Sequence, residues 1–499
     1  MKKALRLEAA DTVAVALEEL LPGDELTING NLAKFQVRDA IPVGHKIALV
    51  SMPNGNSIIK YGYVIGKATR AIEPGEYVHI HNLRDAVADW PKDASLTRGP
   101  GRVAVISEKY RLEEPPVITG YRRKNGMVGF RNHLLVVSTV VCANQIVQDI
   151  GCRYRDIIAA PNPSGCVILP NEVERIQAII LGMARNPNVG AVIFVGLGCE
   201  SVGAKWFCEQ VRDEKPAAYL CEQEEGSSTT AFEKLEQLAL SMKRRLAEME
   251  REEVALSDIR LGTKCGGSDW TTAIVSNPAI GVASDLVVKN GGISLLGETV
   301  GWFGAETVLT QNARNACVAE GIMKLLKEIY LRALSMGRRV EEGNPTPGNI
   351  EGGISTLCEK ALGNVKKGGT ATVEGVLSMG ESPVGKGLYV LDNPGLDPAS
   401  LLGLTCASAN IILFSTGRGT PTGTPLAPAI KLTGSPQAAA QFGAHMDIDL
   451  SHVVEGRMGI EEAGRQLFRE LVAVANGKET IAERLGHREY AFPLLMGPL

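Results

Sequence analysis

The chemistry available to this chain of 499 residues rests on seven histidines, ten cysteines and a few charged residues at the ends of apolar runs. Four histidines come early: His45, His79, His81 and His133. His79 and His81 are two apart, so on a strand their imidazoles leave from one face. Joined by His45 from the Gly44-His45-Lys46 turn, they can ligate a divalent metal or act as acid and base. Capping a strand at the surface is the plainer use of the same pair.

A second group sits where apolar runs stop. Leu134 to Val141 ends in Cys142-Ala143-Asn144, Phe194 to Gly198 leads to Cys199-Glu200, and Cys265 opens a Gly-Gly-Ser loop. Ile293 to Leu296 leads to Glu298-Thr299, and Ile411 to Phe414 leads to Gly417-Arg418-Gly419. Open α/β sheets bind ligands beyond the carboxyl ends of their strands. Cysteine, glutamate and arginine gathered there suit a metal-assisted site for an acidic substrate. A third group, Tyr121 to Asn132, is dense in donors; Arg122 and Arg131 can hold carboxylates bidentately, with Asn125 and Asn132 for hydroxyls. An exposed basic strand is the competing account of that segment. The other motifs exclude cofactors: Gly196-x-Gly198 lacks the third glycine of a dinucleotide fingerprint, and no P-loop, nucleophile elbow or HExxH occurs, so no nucleotide cofactor is expected.

The elements that must position these groups read as a small β-rich part followed by a large α/β body. Short β segments fill the first 90 residues, punctuated by Pro22-Gly23-Asp24 and Pro53-Asn54-Gly55. Periodicity fades from 93 to 116, a linker with one candidate strand at Arg102 to Ser107. Leu134 to Val141, a helical Glu172 to Ala184 and Ala191 to Gly196 then make strand, helix and strand, as in a parallel sheet. Thr230 to Glu252 alternates acids and bases as a solvated helix does. A second α/β stretch follows, with helix over Thr307 to Met336 and a loop over 343–353. The expected division is 1–92, linker 93–116, 117–260 and 261–499.

Composition narrows the function. Lys plus Arg number 52 and Asp plus Glu 56, a net charge of −4, so no electrostatic footprint for nucleic acid or an anionic membrane exists. No apolar run approaches the ~18 residues of a membrane span. Glu8, Asp11, Glu18 and Glu19 interrupt the amino-terminal stretch where a signal peptide is apolar, and the expected location is cytoplasmic. The 55 glycines, about 11% against a usual ~7%, point to many tight turns.

Long segments carry a resemblance. GHKIALVSMPNGNSIIKYGYVIGKA with YVHIHNL is similar to the SAF domain of the altronate and galactarate dehydratases. GYRRKNGMVGFRNHLLVVSTVVCAN, GLGCE, KCGGSD, GETVGWFGAE, NPTPGNIEGGISTLCEKALG and TGRGTPTGTPLAPAIKL resemble their main body, in order. The resemblance implies a hydro-lyase that dehydrates a sugar acid to a 2-keto-3-deoxy acid, with a divalent metal, Fe(II) or Mn(II). Sulfite release from sulfolactate is the alternative leaving-group chemistry, and non-catalytic binding of a sugar acid is the alternative class. On this reading His45, His79, His81, Arg131 and Glu298 are catalytic candidates, and Arg122, Asn125, Asn132, Arg418 and Gly419 bind substrate. Cys142, Cys199, Glu200 and Cys265 are metal ligands. An iron–sulfur cluster ranks second, because no compact cysteine spacing is present. The expected partner is a small sugar acid, and the chain is open to homo-oligomerisation. The chain departs from the family pattern that the resemblance implies at Asn162 and at Leu7 to Asp11, where members commonly carry histidine.

Overall fold

A computed structural model of the chain describes residues 2–90 and 105–494. The first part of the expected linker, 93–104, lies outside the described residues, as does Arg102 to Ala104 of the strand expected there; 105–107 form no strand.

Strand Val13–Ala16 explains the small domain best. All four side chains are buried because alternate residues enter two cores: Ala14 and Ala16 pack with Leu20, Leu26 and Ile47, while Val13 and Val15 pack with Ile58 and Ile65. The strand belongs to a six-stranded sheet with the spatial order Asn31–Leu32, Leu26–Ile28, Lys2–Leu5, Val13–Ala16, Lys46–Ala48 and Tyr77–Val78. A three-stranded antiparallel sheet, Ser57–Lys60, Tyr63–Ala68 and Leu83–Asp85, completes the domain. The core around Val13 is continuous with residues of the body, including Trp270 and Leu357, so the small domain is fused to it by apolar contact.

Two parallel sheets make the body. The first orders its strands Ile157–Ala160, His133–Ser138, Val189–Gly196 and Ala217–Cys221. Leu135 and Val137 face helices Pro170–Arg185 and Ala204–Val211; Leu134 and Val136 face Asn144–Arg153 and Ser228–Ala247. Helices on both faces make continuous apolar strands stable.

The second sheet has seven parallel strands in the order Val373–Leu377, Gly387–Leu391, Ile293–Leu296, Arg260–Gly266, Ile411–Thr416, Ala429–Thr433 and Ile448–Asp449. The chain starts at the centre, builds one side, and returns to build the other. The order therefore reverses between Arg260–Gly266 and Ile411–Thr416, where doubly wound sheets open a crevice at their carboxyl ends. The turn Asn186-Pro187-Asn188 locks the two sheets together. The buried Asn186 amide donates to the Thr405 and Ala409 carbonyls, and that of Asn188 to those of Asn410 and Leu426.

The expected helix Thr307 to Met336 is two helices, Glu306–Gln311 and Ala316–Ser335, the second capped by the Asn315 side chain. The 343–353 loop contains a helical turn, Pro347–Glu351. No helix among the described residues is long and apolar enough to cross a membrane.

Candidate active site

Lysine in the middle of a buried strand is the local anomaly from which the site is built. Strand Arg260–Gly266 is apolar or small on both sides of Lys264, yet the Lys264 side chain is fully buried. A buried ammonium persists only when paired. Lys264 Nζ donates to Glu298 Oε1 at 2.5 Å and to the Gly395 carbonyl at 3.2 Å, and lies 2.9 Å from Asp397 Oδ1. A second fully buried lysine, Lys367, donates to Glu298 Oε2, to Asn364 Oδ1, and to the Cys265 sulfur at 3.0 Å.

Glu298 thus bridges two ammoniums, and its backbone is left-handed, with φ 69°. That conformation costs a non-glycine residue about 1–2 kcal/mol and calls for surroundings that hold it. Burial pushes the Glu298 carboxyl up, but Lys264 and Lys367 outweigh it and hold it at about 2. The group is an anion at every physiological pH. Gly266 is glycine because Asp397 approaches so closely that a Cβ would lie 2.3 Å from its Oδ2.

Of these groups Cys265, Gly266, Glu298, Asn364 and Asp397 border a cavity of about 490 Å³ beyond the carboxyl ends of the central strands; Lys264 and Lys367 are fully buried and do not line it. Cys265 to Ser268 form one wall, Glu298 to Gly301 a second, and Gly395 to Pro398 a third. The segment carrying Asn344, Thr346 and Asn349, with Lys360 and Asn364, closes it. Lys360 Nζ donates to Asn344 Oδ1 at 2.7 Å and Asn349 Oδ1 at 2.9 Å, and burial lowers its pKa.

The histidines meet the other side of the same segment. His79 does not continue the strand: Tyr77–Val78 stops and His79 to Asn82 form a turn. Even so, Tyr77 stacks on His79, and its ring centroid is 5.1 Å from that of His81. His45 Nε2 faces the Glu351 carbonyl at 3.1 Å, so it carries the proton; Nδ1 then accepts from the Tyr77 hydroxyl at 2.6 Å. His79 Nδ1 is 2.6 Å from Ser355 Oγ. Burial, with help from the Lys46 charge, pulls His79 down to about 3, and burial also lowers His45, so both are neutral at pH 7. His81 is exposed. Beneath them Glu359 accepts from Lys46 at 2.9 Å and from Lys60 at 2.6 Å, a buried triad across the domain junction. His45, His79 and His81 therefore gather, but the segment over 344–355 separates them from the cavity, whose walls include none of them.

The donor-dense segment goes elsewhere. Arg122 pairs with Glu252 at the surface, Asn125 caps a turn through the Met127 amide, and Asn132 receives Arg123. Arg131 grips Glu483 and the carbonyls of Val474 and Lys478. None of the four lines the cavity: residues 121–132 lead into strand His133–Ser138 of the four-stranded sheet, whereas the cavity lies at the carboxyl edge of the seven-stranded one. Arg418 is exposed and bound to Glu351 and the Gly348 carbonyl; Gly419 takes φ 88°, and a Cβ there would strike Phe442. Both lie outside the walls of that cavity.

The expected metal ligands are also divided. Cys142, Cys199 and Glu200 stand at the carboxyl edge of the four-stranded sheet, where Glu200 accepts from Thr139 and from the Gly198 amide. Cys265 is on the other sheet. Among the described residues no three His, Cys, Asp or Glu side chains gather into a group that could hold a metal ion. Around Glu298 and Cys265 the paired cations are the ammoniums of Lys264 and Lys367. The donors present do not fit a divalent cation.

Sequence reasoning missed Lys264, Lys360, Lys367 and Asp397. Lys264 had a signal, a charge inside an otherwise apolar strand; Lys360 and Lys367 had none. Asn162 is fully buried. It shapes its loop by donating to the Thr139 carbonyl and accepting from the Ser164 amide.

Comparison with known proteins matches three family models in sequence order. Residues 2–86 match the altronate/galactarate dehydratase SAF domain, and 120–247 the D-galactarate dehydratase/altronate hydrolase second domain. Residues 256–495 match the D-galactarate/altronate dehydratase C-terminal domain. The chain is 33% identical to altronate dehydratase of Bacillus subtilis and 32% identical to that of Escherichia coli, covering 98% of each chain in both cases. It is 33% identical to the (2R)-sulfolactate sulfo-lyase subunit beta of Chromohalobacter salexigens over 75% of this chain and 97% of that one.

Proposed function

Because this chain belongs to the altronate/galactarate dehydratase family, we propose that it removes water from a six-carbon sugar acid to leave a 2-keto-3-deoxy acid. The observation that carries the reading is one cavity at the carboxyl edge of the central sheet, lined by Lys360, Glu298 and Asp397, with the buried ammoniums of Lys264 and Lys367 paired to Glu298.

The chemical difficulty is the C2 proton, which is weakly acidic beside a carboxylate. As it leaves, a second negative charge builds on the carboxylate oxygens, and preorganised ammoniums stabilise that charge. Asp397 is the base in this account. It lines the cavity, and one of its oxygens is held by Lys264. Glu298, ionised between two lysines, keeps Lys264 and Lys367 in place and carries no proton. The C2–H electron pair forms the C2–C3 double bond, the C3–O bond breaks, and the hydroxide leaves as water with the proton that Asp397 took up. The enol product tautomerises to the ketone.

Dependence on Fe(II) or Mn(II) is part of the proposal through the family alone, and no step here runs through a metal. The test is incubation with altronate, galactarate and sulfolactate, with each metal and with a chelator, scoring 2-keto acid and sulfite. Keto acid from a sugar acid supports the reading. Sulfite from sulfolactate without keto acid from either sugar acid, or binding with no product under any metal, contradicts it.

A further inference from the structure

The turn Gly44-His45-Lys46 of the small domain sits directly on the body segment over 351–353, with glycine on both sides of the contact. Gly44 takes φ 81°, and a Cβ there would lie 2.0 Å from the Trp270 ring; Gly353 takes φ 88°, and a Cβ there would lie 2.5 Å from the Gly44 carbonyl oxygen. Only glycine permits so close an approach. Across the contact His45 Nε2 donates to the Glu351 carbonyl at 3.1 Å, and Lys46 Nζ to the Gly353 carbonyl at 2.8 Å. The Tyr77 hydroxyl on Nδ1 holds the buried His45 ring in the tautomer that makes this donation. Both ring nitrogens are thereby engaged.

The carbonyl that His45 grips ends the helical turn Pro347–Glu351. Asn349, in the same turn, lines the cavity. Its amide is fixed: the nitrogen donates to the Ser268 carbonyl at 2.8 Å, and the oxygen accepts from the Thr346 amide at 3.0 Å and from Lys360 Nζ at 2.9 Å. Lys360, another residue of the cavity wall, also donates to Asn344 Oδ1 at 2.7 Å. One side of the segment over 344–355 thus receives the small domain, and the other holds an ammonium at the cavity.

Resting on the dehydratase reading, we propose that His45 is a positioning residue for that reaction, setting the place of Lys360 through the Glu351 carbonyl and the turn that carries Asn349. An ammonium stabilises developing charge only while it is preorganised, and a misplacement of about 1 Å caused far from the chemistry can slow a reaction about 100-fold. What the reaction needs from His45 is one N–H, and neither proton transfer nor a metal bond.

The test compares His45→Ala and His45→Gln in the full chain. The glutamine amide offers an N–H in place of Nε2 but does not titrate as an imidazole does. Per folded protein, kcat/KM for keto-acid formation from altronate is expected to fall about 10- to 100-fold in His45→Ala, and His45→Gln to recover most of it. Hydrogen exchange of the amides over 347–354, followed by mass spectrometry, is expected to run about 3- to 10-fold faster in His45→Ala, the effect of one lost hydrogen bond, and to stay slow in His45→Gln. Unchanged kcat/KM or unchanged exchange in His45→Ala overturns the proposal. So does a His45→Gln chain as impaired as His45→Ala, which would make the imidazole itself the required group. Any of these results alongside keto acid from the unaltered chain leaves the dehydratase reading standing. Faster exchange in His45→Ala with no keto acid from the unaltered chain removes that reading and leaves the tether.

Discussion

Lys264 and Glu298 stand on neighbouring parallel strands of the central sheet, one within its strand and one just past the end of the next, and meet 2.5 Å apart in the interior. Neither side chain tolerates burial alone, so each accounts for the presence of the other. With Lys367 on the second carboxylate oxygen, the pair holds positive charge beside a cavity that opens where the sheet reverses its order.

Replacing Glu298 by Gln keeps the shape and removes the charge. Two buried ammoniums then face no glutamate, and stability should fall by about 3–5 kcal/mol, the usual effect of breaking a buried ion pair. Chemical denaturation of Glu298→Gln against the unaltered chain measures this; equal midpoints would contradict the pairing.

Acid should unfold the chain through two carboxylates. Glu298 and Glu359 lie at about 2 in the fold, against an ordinary 4.5, because their lysines outweigh the effect of burial. A carboxylate depressed in the fold stabilises it above the unfolded value and loses that contribution as pH falls from 4.5 towards 2. Melting temperatures between pH 6 and pH 3 should drop most steeply below 4.5, and less steeply in Glu298→Gln.

His79 acts over a higher window. Held at about 3 against an ordinary 6.5, it is neutral in the fold while the unfolded chain binds a proton. Its contribution is complete above 6.5 and is lost as pH falls below it. His79→Asn, which cannot be protonated, should flatten the stability curve between pH 6.5 and 4.5. An unchanged slope would place this histidine in solvent.

The junction between the small domain and the body depends on Glu359, which holds Lys46 and Lys60 and accepts from the Ser355 amide. Glu359→Ala should destabilise the whole chain by about 3–5 kcal/mol and expose the junction to protease. Retention of a single unfolding transition at the original midpoint would show that the triad contributes little.

Apolar runs made the parallel strands legible, and the rule that ligands sit beyond carboxyl ends led to Cys265 and Glu298. Arg122 and Arg131 misled because abundance of donors says nothing about which end of a strand they occupy; they precede His133–Ser138 and bind Glu252 and Glu483. Lys360 and Lys367 were illegible. Their burial arises from the packing of helix Leu357–Asn364 and the turn after it against the ends of distant strands, which no local pattern records. His45, His79 and His81 come together through a turn and not through strand spacing, since Tyr77–Val78 ends before His79, and what His45 and His79 face, the Glu351 carbonyl and Ser355, lies about 300 residues away in the chain.

The most direct test of the account is the rate of 2-keto acid formation from altronate by the unaltered chain and by Asp397→Asn, each assayed with and without added Fe(II) or Mn(II). The account predicts keto acid from the former and a loss of about 10²- to 10⁴-fold in the latter, the usual reach of a general base, with the variant still folded and still binding altronate. An Asp397→Asn chain as active as the original would contradict it.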